Sequence, residues 1–409
     1  MTELPFTTPE DVGLSSERLA RIRTLMQRYV DSGKYPWAMA AVIRHGEIAY
    51  WDQIGLSDVA AGRAVAADDI SRFYSMTKPI TAVAALQLYE LGLYQLDDPV
   101  GDYIPALADM EVRVAEDENG MRTEPAARAI TVRDLFCHTA GFTYGFSTGD
   151  RLSRLYNEHR VDFNSGDGPL ADVVARLAEL PLDHHPGARW TYGVSIDVLG
   201  HLVEVLSGKT FDRYLAENIF APLDMTDTFF QLPPDRMDRF VPCYGRTIED
   251  KFVRIEGTKD SPHASGVTCF SGGGGLLSTM RDYLRFCDML RSEGVLNGER
   301  ILGRRTVEYM ATNHMPDDGD LTTMGQETFS ETSYAGIGFG LGVSVVLDPA
   351  AAQTMSSPGE FAWGGMASTA FWIDPLEDLA AVFLTQLVPS AAYPIRREFR
   401  VLVNQALID

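Results

Sequence analysis

From Met76 to Leu91 the chain reads as a helix that is apolar nearly all round. A helix with no polar stripe has no face to give to water, so the rest of the chain must wrap around it. Pro79 is compatible with that helix because it falls in the first turn, where a missing N–H breaks no intrahelical bond. Gly92 supplies a stop. With 409 residues, 45% of them hydrophobic, the chain can bury such a helix and still build more than one core region.

The segments on either side differ in texture. Ser15 or Ser16 can cap a first helix whose apolar positions are Leu19, Ile22, Leu25, Met26, Tyr29 and Val30, with Gly33 as its end. Ala38 to Ile43, a turn at Arg44-His45-Gly46, and Glu47 to Trp51 then predict a β-hairpin. The middle of the chain, to about residue 245, carries mostly helical pattern, with Glu111 to Ala129 as a long exposed loop or small hairpin. Gly272 to Gly275 precede a helix over Met280 to Ser292. Strand-like runs follow at Gly338 to Leu347, Glu360 to Trp363, Thr369 to Ile373 and Leu379 to Thr385, before an amphipathic helix from Pro394 to Ala406. Strands at both ends with helices between imply an α+β fold. Residues 1–73 and 270–409 form one discontinuous sheet domain, and 74–269 are an inserted, mostly α-helical one.

Composition narrows the function. Asp plus Glu number 57 against 35 Lys plus Arg, a formal charge of −22. That balance repels phosphate backbones and anionic membranes, so neither nucleic acid nor membrane is an expected partner. Cys137, Cys243, Cys269 and Cys287 form no C-x-x-C pair and no compact Cys/His cluster, so they read as buried free thiols, with no metal site expected. The N-terminus lacks a basic start and an apolar run, and the expected location is cytoplasmic.

Three motifs carry chemistry. Ser75-Met76-Thr77-Lys78 fits S-x-x-K at the mouth of the buried helix. Residues three apart on a helix share a face, so the amine can reach the hydroxyl. A serine there has free backbone N–H groups beside it to hold an oxyanion. A plainer reading is a serine cap with a solvent-facing lysine, but a buried helix leaves a lysine in its first turn in need of a partner. Tyr192, before the periodic helix that starts near Ile196, is a candidate: its phenolate could take the Ser75 proton. Alone it also reads as an ordinary core tyrosine. Trp363-Gly364-Gly365-Met366 lies between two strand-like runs, where two glycines admit close approach of a ligand. Met366 N–H would join Ser75 N–H as the second oxyanion donor. A β-bulge is the alternative for these four residues.

Taken in order, Ser75-x-x-Lys78, Tyr192 and Trp363-Gly364-Gly365 resemble the family VIII carboxylesterases, relatives of class C β-lactamases and penicillin-binding proteins. Thr131 to Gly141, Pro222 to Thr228 and Gly272 to Thr279 resemble further segments of that family, and the likeness runs from about Val12 to the C-terminus. It implies a β-lactamase/transpeptidase-like fold, an antiparallel sheet flanked by helices with an inserted all-α domain, and an active site between the two. It implies acyl transfer through a Ser75 acyl-enzyme, with Lys78 and Tyr192 sharing general-base work as a coupled pair, no cofactor, and a small-molecule ester as substrate. β-Lactamases of this type carry a lysine where Trp363 stands and an asparagine where Val194 stands. Both positions are apolar here, which points to short- to medium-chain acyl esters with Trp363, Gly364, Gly365 and Val194 at the substrate, and at most weak β-lactamase activity. Acyltransferase, β-lactamase or D-amino-acid peptidase activity would use the same nucleophile; a binding protein with a dead site is the alternative of another class.

Gly145-Phe146-Ser147-Thr148-Gly149 matches the G-x-S-x-G nucleophile elbow, but the strand that motif needs is missing before it. Ser147 is therefore read as a decoy. Among the histidines, His138 and His201 are expected to be buried, His138 as a structural hydrogen-bonder in a turn, and His184-His185 exposed in a loop.

Overall fold

A computed structural model describes residues 4–117, 120–147, 149–324 and 334–409. Thr148 of the decoy pentapeptide lies outside the described residues.

Strand β1 (Trp37–Arg44) sets the layers. All of its residues are buried, and alternate side chains enter different cores. Met39, Ala41 and Ile43 pack with the buried helix, while Ala38, Ala40 and Val42 pack with Leu19, Ile22 and Phe399. The two-residue period of a strand thus divides one apolar run between two layers. The other strands are β2 (Glu47–Asp58), β3 (Arg63–Ala64), β4 (Ile337–Phe339), β5 (Ser344–Val346), β6 (Phe361–Gly364), β7 (Ala370–Asp374) and β8 (Leu379–Leu384). They form one eight-stranded antiparallel sheet in the order β4-β5-β6-β7-β8-β1-β2-β3. Both ends of the chain meet at its centre, where Met39 faces Leu384.

Helix α1 (Ser16–Asp31) is capped by Ser15, whose hydroxyl accepts the Arg18 N–H at 3.3 Å. It packs against the sheet with α5 (Ile395–Asn404), and α4 (Met280–Arg291) covers the other face through β7 and β8. Behind α4 lie α2 (Thr77–Glu90) and α3 (Ser195–Ser207), packed on each other. Every residue of α2 from Thr77 to Leu86 is buried, as its unbroken apolar surface requires.

The structure refines several sequence expectations. Glu111 to Ala129 is the small hairpin, Glu111–Asp117 with Gly120–Pro125. Gly338 to Leu347 is not one strand but the β4–β5 pair. The chain reverses at Gly340, whose N–H bonds the Val343 carbonyl at 2.8 Å, and at Gly342, whose φ is +86°. A Cβ at Gly340 would stand 2.1 Å from the Met310 carbonyl oxygen. Cys243–Arg246, inside the segment assigned to the helical domain, pairs with Leu387–Val388 of the C-terminal part. The four cysteines are free and buried. Among the described residues no helix is long and apolar enough to cross a membrane.

Candidate active site

Ser75 sits in a single 3₁₀ turn, Tyr74–Met76, that runs directly into α2. Tyr74 holds φ at +45°, a left-handed conformation that costs a bulky side chain on the order of 1–3 kcal/mol. The neighbours hold this turn in place. Gln386 brackets Arg72 with one bond to its N–H (3.1 Å) and one from its own amide to the Arg72 carbonyl (2.9 Å). Phe73 N–H bonds the Leu276 carbonyl, and Tyr283 O–H bonds the Met76 carbonyl at 2.9 Å.

Lys78 is fully buried and needs acceptors. Its Nζ lies 3.3 Å from Ser75 Oγ, 3.1 Å from the Tyr144 hydroxyl and 2.6 Å from the Gly273 carbonyl oxygen. The carbonyl can only accept. When the amine is neutral, N–H bonds to Gly273 and Tyr144 leave its lone pair aimed at Ser75 Oγ, the geometry a general base requires.

Tyr192 reaches the same point from the entry to α3. Its ring faces Lys78 Nζ at 4.6 Å to the centroid, and its hydroxyl receives the Trp363 indole N–H at 3.4 Å. Gly193 makes this approach possible: a Cβ there would stand 2.4 Å from the Phe142 carbonyl oxygen. His138 braces the turn behind it. Its Nδ1 accepts the Gly193 N–H at 3.4 Å, and its ring packs 4.8 Å from that of Tyr192. Burial and the nearby Lys78 charge push His138 well below its ordinary pKa. It is a neutral structural hydrogen-bonder, as the sequence suggested.

The third motif closes the site. β6 ends at Gly364, and Gly365 lies so close to the nucleophile turn that a Cβ would stand 2.5 Å from the Phe73 carbonyl oxygen. Thr369 anchors the hairpin by accepting the Gly365 N–H at 2.9 Å. The Met366 N–H enters no backbone hydrogen bond among the described residues. Ser75, Tyr192, Trp363 and Met366 all line one cavity of about 600 Å³, together with Gly364 and Gly365.

Val194 is not among these residues. It is fully buried at the start of α3, with its N–H on the Thr143 carbonyl at 3.3 Å, and it does not line the cavity. The apolar side chain turns into the core, so the expectation that it meets substrate fails. His184 is likewise buried rather than exposed, its ring bridging the His185 carbonyl and the Thr191 hydroxyl, each at 2.9 Å. Ser147 lies on an exposed turn with no strand before it.

Two residues were missed. Tyr144 receives Lys78, and its ring stands 5.6 Å from that of Tyr192. Burial, reinforced by the Asp197 charge, pushes its pKa well above the ordinary tyrosine range and keeps it a neutral phenol. Its place directly after the His138–Gly141 segment was the only signal. Asp197, on the first turn of α3, accepts the Ser271 hydroxyl at 2.5 Å and the Gly273 N–H at 2.9 Å. Burial raises its pKa to about 6 against the opposing pull of Lys78.

Comparison with known proteins gives a consistent picture. The family described as Beta-lactamase matches residues 22–405. Esterase EstB of Burkholderia gladioli is 30% identical over 90% of each chain. Monacolin J acid methylbutanoyltransferase of Aspergillus terreus is 31% identical over 79% of this chain and 78% of that protein. Among solved structures, a mutant simvastatin synthase from Aspergillus terreus superposes with a TM-score of 0.81 at 26% identity, covering 96% of this chain and 95% of that one.

Proposed function

The chain belongs to the beta-lactamase family, and from that premise we propose that it is a serine carboxylesterase acting on short- to medium-chain acyl esters. The observation that carries this reading is the fully buried Lys78, held 3.3 Å from Ser75 Oγ by two further acceptors. The similarity to an esterase over nine tenths of both chains supports it. In the proposed reaction Ser75 Oγ attacks the ester carbonyl while its proton passes to the Lys78–Tyr192 pair. The Ser75 and Met366 N–H groups hold the oxyanion. The alcohol leaves with the proton, and water resolves the acyl-enzyme.

Trp363 argues for a neutral substrate. It fills the position where β-lactamases of this type place a cation, and its ring packs against Tyr192 and Phe339 rather than offering a charge. The cavity, about 600 Å³, lies within the range of small-molecule sites, roughly 300–1,000 Å³, and exceeds a short acyl group. Four buried free thiols fit a reducing compartment, and we place the protein in the cytoplasm.

Hydrolysis of p-nitrophenyl acetate and butyrate against nitrocefin tests the reading. The esters should turn over and nitrocefin slowly or not at all; nitrocefin turning over much faster than either ester would overturn it. Acyl transfer is the second reading, favoured by the 31% identity to a methylbutanoyltransferase. An alcohol acceptor added to the assay would then yield a new ester at the expense of the free acid.

A further inference from the structure

The glycine run before α4 is a clasp between two helices. The Thr81 hydroxyl of α2 bonds the Gly272 carbonyl at 2.7 Å, and Lys78 of α2 bonds the Gly273 carbonyl at 2.6 Å. On the other side, Asp197 of α3 holds the Gly273 N–H and the Ser271 hydroxyl. Gly273 thus links an anion to the catalytic amine: its N–H points to Asp197 and its C=O to Lys78. The fit is close, since a Cβ on Gly273 would stand 2.2 Å from Asp197 Oδ2. Asp197 is 1% exposed and Lys78 fully buried, so little solvent screens one from the other.

We infer that Asp197 is a positioning residue for Lys78: it fixes the residue, Gly273, whose carbonyl aims the amine at Ser75, and its negative charge acts on the catalytic pair across that one residue. The inference rests on Ser75 being the nucleophile and Lys78 part of its base. Other charged or titratable groups act on the same point. Tyr144 and Tyr192 face Lys78 from the loop before Gly145 and from the entry to α3, His138 lies behind Tyr192, and Asp162 acts on Asp197. Tyr144 and His138 are held neutral by burial, which leaves Asp197 as the anion linked to the lysine through one residue, Gly273, by the N–H of one peptide and the C=O of the next. Asp197 also borders the cavity that Ser75 lines, but in this scheme it acts through Gly273.

Asp197→Asn tests the charge apart from the geometry, because the amide oxygen still accepts both hydrogen bonds. Loss of the anion makes proton loss from the catalytic pair easier. The acid limb of the kcat/KM profile should therefore move to lower pH by about one unit, with the melting temperature measured alongside. Ser271→Ala leaves the charge but removes a bond that favours it, and should move the limb the same way by less. Gly273→Ala displaces the carboxylate and should lower kcat at least tenfold with KM little changed. Should Asp197→Asn not fold, Ser271→Ala carries the test alone. Acid limbs that stay in register with wild type in the folded variants would reduce Asp197 to a structural role. Ser75→Ala, assayed in parallel, separates the two levels. If it stays active, the nucleophile assignment has failed; if it is dead while the limbs do not move, only this inference has.

Discussion

The Trp363 indole N–H donates to the Tyr192 hydroxyl at 3.4 Å. The bond fixes the orientation of the phenol from the wall of the cavity. Trp363→Phe keeps an aromatic side chain at this position but removes the N–H donor together with part of the indole's bulk. A neutral hydrogen bond is worth about 1 kcal/mol, so kcat on p-nitrophenyl butyrate should fall about fivefold with KM nearly unchanged. A large rise in KM with unchanged kcat would show that Trp363 only shapes the pocket.

Tyr144 is the stronger test of how Lys78 is held. Tyr144→Phe removes one of the three acceptors around the amine. Bonds to charged groups contribute about 1.5–3 kcal/mol, which corresponds to roughly a 10- to 100-fold loss in kcat. Wild-type kcat in this variant would show that the Gly273 carbonyl suffices. Lys78→Ala and Tyr192→Phe should each slow turnover strongly, and the double variant should lose little more than the worse single one, since the pair works as a unit. Fully additive losses would speak against coupling.

Much of this was legible in the sequence because the signals were local. Helical period and cap marked α1, unbroken apolarity marked α2, and Gly-Gly between strand-like runs marked the end of β6. What was not legible depends on long-range packing. Tyr144 sits on an irregular loop with no periodic signature, and it meets Lys78 where that loop packs against Gly193 and Tyr192. Asp197 looks like an ordinary first-turn acid until the glycine clasp, more than 70 residues later, closes on it. Val194 misled in the opposite direction: it was read as meeting substrate, but its apolar side chain is buried at the start of α3 and leaves the cavity wall.

A second buried carboxyl links stability to pH. Glu360, just before β6, is fully buried and forms an ion pair with Arg400 at 3.0 Å, yet neither carboxyl oxygen has a well-aligned donor among the described residues. Burial raises its pKa from 4.5 to about 7 despite Arg400. The folded protein thus keeps this proton up to about pH 7, while the unfolded chain releases it near 4.5. Between those values the folded state binds more protons, so stability falls as pH rises. Glu360→Gln should raise the melting temperature at pH 8 by more than at pH 5. Equal shifts at both pH values would refute the assignment.

The thiols offer a check on the fold that does not depend on catalysis. Cys137, Cys243, Cys269 and Cys287 are each no more than 1% exposed. A thiol-reactive chromogen should therefore find none of them in the native protein and all of them in denaturant. Rapid reaction of a native thiol would mean that the core around it opens.

The most direct test of the catalytic proposal is labelling with a fluorophosphonate probe followed by peptide mass spectrometry. The adduct is expected on Ser75, with no labelling and no ester hydrolysis in Ser75→Ala, and near wild-type behaviour in Ser147→Ala. An adduct on Ser147, or hydrolysis that survives in Ser75→Ala, would contradict it.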